Sequence, residues 1–265
     1  MKVGILESRA REVLQKALEM AGVEVEVAPV LVEVPEVNLD EIGMMLDEWR
    51  KRSPDYFIFL NGSGIQYLFN ALKEVNRLEE FLGYVYDAEI ILRGPKPASV
   101  LQKYNVSKYH IVPSPHTSDL ILEHLIAKGV NRKIIVIQHY GEKNIYLSQL
   151  LAKAGALVYD ISSYRWEIPA DIHRIKIFID RLLSHALDMV IFTSSVQVQH
   201  LLTIAEYTGQ HTLVVAALNQ LQVVSIGPIC SQTLFEEGIR ITHEVKPPKL
   251  FALIEYVTNL QQQKA

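Results

Sequence analysis

The chain has 265 residues, 49% of them hydrophobic, and a formal net charge of −4. That length suits two small α/β domains, each able to bury a core, and the mild acidic balance argues against the broad basic face of a nucleic-acid binder. A lone cysteine, Cys230, excludes a disulfide framework, and neither paired cysteines nor a His-Glu-x-x-His spacing marks a metal site.

In chain order, Val3–Leu6 reads as a strand, Arg9–Ala21 as an amphipathic helix, and Val23–Val34, after Gly22, as a second strand. The opening apolar run is too short for a signal peptide. No stretch reaches the ~18–20 apolar residues of a membrane span, so a cytoplasmic protein is expected. A buried-type strand from Tyr56 runs into the turn Asn61-Gly62-Ser63-Gly64 and a helix. Ile91 opens a strand that ends in Arg93-Gly94-Pro95-Lys96-Pro97-Ala98 and another helix. Val112–Leu125 reads as a strand end with prolines and then a helix.

The series then repeats. Strand Ile134–Ile137, helix Ile145–Ala154, Gly155 and strand Ala156–Ile161 match the opening unit, with LQKALEMAGVEV beside LSQLLAKAGALV. Met189–Leu202 matches Tyr56–Phe69, Val224–Leu234 matches Ile91–Leu101, and Val245–Val257 matches Val112–Leu125. Gly227 lies 133 positions after Gly94, Val190 lies 133 after Phe57, and Ile135 lies 132 after Val3. One register held over four units points to internal duplication.

Alternating strands and helices predict an α/β fold of two similar three-layer lobes, each a parallel sheet covered on both faces. Pro29–Pro35 and Ser163–Pro169 are extended stretches ending at proline and read as linkers, at about 29–36 and 163–169. The first lobe then takes residues 1–33 plus 169–265 and the second 36–163. A simple cut near residue 133 is the alternative, and it leaves the long linkers unexplained. A working site is expected in the cleft between the lobes.

Ligands of open α/β sheets bind beyond the carboxyl ends of the strands. The candidate turns are Asn61–Gly64, Arg93–Ala98, Thr193-Ser194-Ser195 and Gly227-Pro228-Ile229-Cys230-Ser231. Their free N–H groups and helix dipoles suit carboxylate or phosphate; the same residues also suit plain N-caps and tight turns. None is a nucleotide-binding glycine motif. Arg93, Lys96, Lys143 and Arg165 could add positive charge, or lie solvated on the surface. His139 and Tyr140 end a strand at the expected ligand edge, where either a ligand contact or a structural role fits. Tyr164 sits on a linker, where its hydroxyl could donate a proton or simply pack; Trp166 reads as packing. Cys230 opens a helix, where a thiol pKa tends to fall, yet it reads as a small residue replacing a hydroxyl and not as a nucleophile.

The segments FIFLNGSGIQYLF, LRGPKPASVLQKYNV, VIQHYGEKNIYLSQLLAKAGALVYDISSYRW, IFTSSVQVQHLL and IGPICSQTLFEEGI, in that order and spacing, resemble uroporphyrinogen-III synthases over nearly the whole chain. The resemblance implies two α/β lobes joined by a two-stranded linker, the first built from both chain ends. It implies closure of the linear tetrapyrrole hydroxymethylbilane to uroporphyrinogen III, with loss of water, inversion of the last ring, and no cofactor or metal. The family's linker tyrosine falls on Tyr164, as candidate acid, and its serine after a strand of the later lobe on Ser194. Where the family often has threonine, this chain has Cys230, followed by Ser231, and in the other lobe Pro97. The substrate would be a flexible polycarboxylate handed over by hydroxymethylbilane synthase, and the protein a monomer. A two-lobed sensor of small anions or tetrapyrroles is the main rival.

Overall fold

The computed structural model describes residues 1–8, 10–141 and 143–264. The chain begins β1 (Lys2–Ile5), α1 (Arg11–Met20), β2 (Glu24–Val27), β3 (Val32–Pro35), α2 (Leu39–Trp49), β4 (Tyr56–Phe59), α3 (Gly62–Glu74) and α4 (Leu78–Asp87). It continues with β5 (Glu89–Leu92), α5 (Pro95–Leu101), β6 (His110–Ile111), α6 (Ser118–Lys128), β7 (Ile134–Gln138), α7 (Ile145–Lys153), β8 (Leu157–Ile161) and β9 (Tyr164–Glu167). It ends with α8 (His173–Leu183), β10 (Met189–Phe192), α9 (Ser195–Tyr207), α10 (His211–Leu218), β11 (Gln222–Ser225), α11 (Pro228–Glu236), β12 (His243–Glu244) and α12 (Leu250–Lys264). The expected strand Val23–Val34 is two strands: β2 stops at Val27 and the chain passes Pro29, which has no N–H for a ladder, before β3. The Arg9 end of the first expected helix lies outside the described residues.

The residues form two compact units: Met1–Val32 with Glu167–Ala265, and Glu33–Trp166. Unit 1 holds a parallel sheet in the order β12-β11-β10-β1-β2, and unit 2 one in the order β6-β5-β4-β7-β8. A separate two-stranded sheet pairs β3 with β9, the two strands in which the chain passes from one unit to the other. The two sheet orders become one when β1, β2, β10, β11 and β12 are set against β7, β8, β4, β5 and β6. β10 begins 133 positions after β4, and β7 begins 132 after β1.

Period-two burial explains the three layers of each unit. In β4, Phe57 and Phe59 face one apolar cluster with Trp49 of α2 and Leu68 of α3, while Ile58 faces another with Ile121 of α6 and Leu147 of α7. In β10, Val190 and Phe192 meet Phe178 of α8 and Leu201 of α9, while Ile191 meets Leu14 of α1 and Leu253 of α12. Fully buried side chains of this kind each contribute roughly 1.5–3 kcal/mol. Gly22 and Gly155 follow their helices at φ +76° and +91°, the left-handed stop expected of them. Among the described residues no helix is long and apolar enough to cross a membrane.

Candidate functional site

All strands of each sheet run parallel, so their carboxyl ends share one edge, and the following helices start there. In unit 2, Asn61 follows β4 by two residues, and its Oδ1 accepts from the Gly64 N–H at 3.0 Å and so caps α3. The Asn61 amide donates its other way, to the Tyr164 hydroxyl at 2.6 Å. Tyr164 is buried, 2% exposed, with its ring 5.4 Å from Tyr67 and 6.3 Å from Trp166. Gly62 and Ser63 form the first turn of α3, half-buried. A side chain at Gly64 would require Gln138 to move, because a Cβ there would come 1.9 Å from Nε2 of that buried glutamine.

Arg93 and Tyr140 are brought together. The guanidinium of Arg93 lies 4.5 Å from the Tyr140 ring centre, and that ring is 5.9 Å from Trp166. Gly141 allows the stack, because a Cβ would meet the indole of Trp166 at 2.3 Å. Tyr140 therefore stays at the strand edge, but its partner His139 turns inward, 1% exposed. The Asn144 N–H donates to His139 Nδ1 at 3.0 Å, which leaves the ring proton on Nε2, facing Asp160 at 2.7 Å. Lys143 reaches the same carboxyl at 2.7 Å, and the Ser148 hydroxyl donates to it at 2.6 Å. Burial alone would raise the Asp160 carboxyl, but the hydrogen bonds from His139, Lys143 and Ser148 outweigh it and hold it at about 2. The expectation of a ligand-facing His139 is corrected: it is a tie between β7, β8 and α7.

The Arg93–Ala98 turn offers less to an anion than its sequence suggested. Gly94 precedes Pro95 and Pro97, which lack an N–H, so only Lys96 presents one among the first three helical residues. Pro97 and Ala98 are buried, Ala98 against the core around Leu101, and are packing residues in place of ligand contacts. Lys96 is exposed. Arg165 is exposed on β9 and paired with Glu36.

In unit 1, Ser194 caps α9 by accepting from the Gln197 N–H at 3.4 Å, with Ser195 as the first helical residue. Thr193 is already engaged internally. Its hydroxyl donates to Glu7, its N–H donates to Gln197 Oε1 at 2.8 Å, and Gln197 Nε2 donates back to its hydroxyl oxygen at 2.8 Å. Glu7 also accepts from the N–H groups of Ser8 and Ala10, at 3.0 and 3.2 Å. A carboxylate of the chain thus occupies the Thr193 hydroxyl that was expected to meet a ligand.

At the second turn of unit 1, Gly227 packs so closely on Pro248 that a Cβ would lie 2.8 Å from it. Ile229 is exposed, and the hydroxyls of Ser231 and Ser225 share a hydrogen bond of 2.6 Å. Cys230 is buried, with its thiol 3.7 Å from the Phe192 carbonyl. Burial pushes that thiol up to about 12 against a weaker opposing hydrogen bond at Ile226. The lowered pKa expected at a helix start is thereby corrected, and so is Cys230 as a side-chain contact. Among the described residues no group of three or more His, Cys, Asp or Glu could hold a metal ion.

Glu7, Gln138, Asp160 and Gln197 were not singled out by sequence. One signal was available: Gln197 lies 133 positions after Gly64, and Gln138 lies 132 after Leu6. Where one repeat carries its glutamine on the strand, the other carries it on the helix.

A family model described as uroporphyrinogen-III synthase HemD matches residues 12–255. The chain belongs to the uroporphyrinogen-III synthase family. A relative from Methanothermobacter thermautotrophicus, provisionally named a uroporphyrinogen-III synthase, is 28% identical over 84% of this chain and 83% of its own. An uncharacterized Bacillus subtilis protein, YjjA, is 27% identical over 73% and 72%. Among solved structures, a mutant uroporphyrinogen III synthase from the extremely thermophilic bacterium Thermus thermophilus is 23% identical, covers 100% of both chains and superposes with a TM-score of 0.71. A uroporphyrinogen-III synthetase from Helicobacter pylori 26695 is 15% identical, covering 98% of this chain and 99% of that one, with a TM-score of 0.58. These structures share the fold: mixed α/β with two parallel five-stranded sheets.

Proposed function

We propose that this family member cyclises hydroxymethylbilane to uroporphyrinogen III, as a hydro-lyase of tetrapyrrole biosynthesis. The observation that carries the reading, beside the family match, is the Tyr164 phenol held by Asn61 at the carboxyl edge of the unit 2 sheet. In the proposed step Tyr164 gives its proton to the departing hydroxyl. The carbon–oxygen bond breaks, water leaves, and the last ring attacks the resulting cation through its substituted carbon; the bond from that carbon to the bridge it shares with the third ring then breaks and re-forms at the unsubstituted carbon, which gives up its proton. In unit 2, substrate carboxylates would be met by Arg93 and Lys96 and by the N–H groups opening α3. Orientation does most of the work, since holding reacting ends together can supply up to ~7–11 kcal/mol.

The test is incubation with fresh hydroxymethylbilane and separation of the product isomers. Isomer III accumulating faster than isomer I forms in a protein-free blank supports the reading. Isomer I alone, at the blank rate, removes it; saturable binding without conversion assigns the chain to a tetrapyrrole sensor instead.

A further inference from the structure

We infer that Asn61 is the positioning residue for Tyr164, a role that rests on Tyr164 being the acid of the proposed reaction. Asn61 makes two contacts, and its amide has only one arrangement that satisfies both. The Gly64 N–H is a donor, so the oxygen of Asn61 must face it at 3.0 Å; the NH2 group then faces the phenol at 2.6 Å and must donate. The phenol oxygen is the acceptor, which turns the phenol proton away from Asn61. The cap leaves no room for a Cβ at Gly64, which would lie 2.7 Å from Asn61 Oδ1.

Capping alone does not require the amide. The matching position of unit 1 is Ser194, 133 residues later, and its hydroxyl caps α9 in the same manner. Neither register puts a tyrosine opposite Tyr164 in unit 1: the residues 133 and 132 positions earlier are Leu31 and Val32. The donor NH2 therefore stands in the unit that has the tyrosine, and serine stands in the unit that lacks it. When the Tyr164 proton passes to the departing hydroxyl, the phenol O–H bond breaks and the oxygen keeps the electron pair. The Asn61 N–H is already directed at that oxygen and stabilises the charge. The phenolate regains a proton when the closed ring system gives one up.

Two variants test this. Asn61→Ser keeps the cap, as Ser194 does, and removes the donor. Asn61→Asp keeps the cap and replaces the donor with an acceptor, so the phenol must donate to it. The readouts are the 13Cζ resonance of Tyr164, assigned by its loss in Tyr164→Phe, and steady-state turnover of hydroxymethylbilane. The expected results are a displaced Tyr164 resonance in both variants, an approximately 10-fold lower kcat in Asn61→Ser with KM unchanged, and a larger loss in Asn61→Asp. An unmoved resonance in both variants overturns the assignment, whatever turnover does; so does a resonance that moves while kcat stays at the native value. If the native protein does not convert hydroxymethylbilane at all, the proposed function fails, while the resonance alone still reports whether Asn61 holds the phenol.

Discussion

The two units share a strand order and a 132–133-residue register, yet they finish the carboxyl edges of their sheets differently. Unit 2 follows β4 with Asn61, which caps a helix and holds Tyr164, and stacks Arg93, Tyr140 and Trp166 beside it. Unit 1 follows β10 with Thr193 and Ser194, and turns the Thr193 hydroxyl onto its own Glu7. A repeated scaffold fixes where polar groups stand; the substitutions at matched positions decide which of them can act. The difference places the proposed acid in unit 2 and leaves unit 1 with backbone N–H groups and caps.

The largest expected effect breaks that asymmetry directly. Tyr164→Phe is expected to lower turnover by about 100-fold, the lower end of what a positioned acid supplies. Ser194→Ala, a cap loss of about 1 kcal/mol, is expected to lower it less than 10-fold. Equal losses, read from initial rates of isomer III formation, would erase the distinction between the units.

Next is the exchanged glutamine. Gly64→Gln puts a side chain where Gln138 already lies, and overpacking should cost about 2–3 kcal/mol in denaturant unfolding. Adding Gln138→Leu gives unit 2 the Leu6 and Gln197 pattern of unit 1 and should recover more than half of that. A double variant as unstable as the sum of its parts would show that the two positions do not compensate.

The fold was legible because the local signals repeat: strands such as Tyr56–Phe59 and Met189–Phe192 are apolar throughout, and Gly22 and Gly155 stop their helices. The strand-end turns were legible for the same reason. What they touch was not. Asn61 and Tyr164 are 103 residues apart, and Glu7 and Thr193 are 186 apart, so no periodicity links them. His139 and Cys230 were placed at the ligand edge by chain position, and their inward direction is set by Asp160 and by the Phe192 carbonyl, which local pattern does not show.

A smaller effect comes from Asp160, whose unit 1 match is the uncharged Val27. Its carboxyl sits at about 2 in the folded chain against an ordinary 3.8. The stabilisation is therefore complete above about pH 4 and fades as the pH falls toward 2. Asp160→Asn should lose about 2 kcal/mol at pH 7, with the gap to the native protein closing by pH 2. A gap that does not change with pH would assign the loss to packing alone. The smallest effect is at Cys230. With its thiol at about 12 and buried, labelling by a thiol reagent at neutral pH should be slow and should follow unfolding. Cys230→Ala should cost about 1 kcal/mol and leave turnover within twofold. Rapid labelling of the folded protein would contradict the buried position.

The central claim is that this chain directs ring closure through an acid in unit 2. Its most direct test is a single-turnover reaction with protein in excess over hydroxymethylbilane, with the isomers separated for the native chain and for Tyr164→Phe. The account predicts nearly all isomer III from the native protein, and from Tyr164→Phe mainly isomer I forming at the blank rate. Isomer III formed equally fast by both, or isomer I from both, would contradict it.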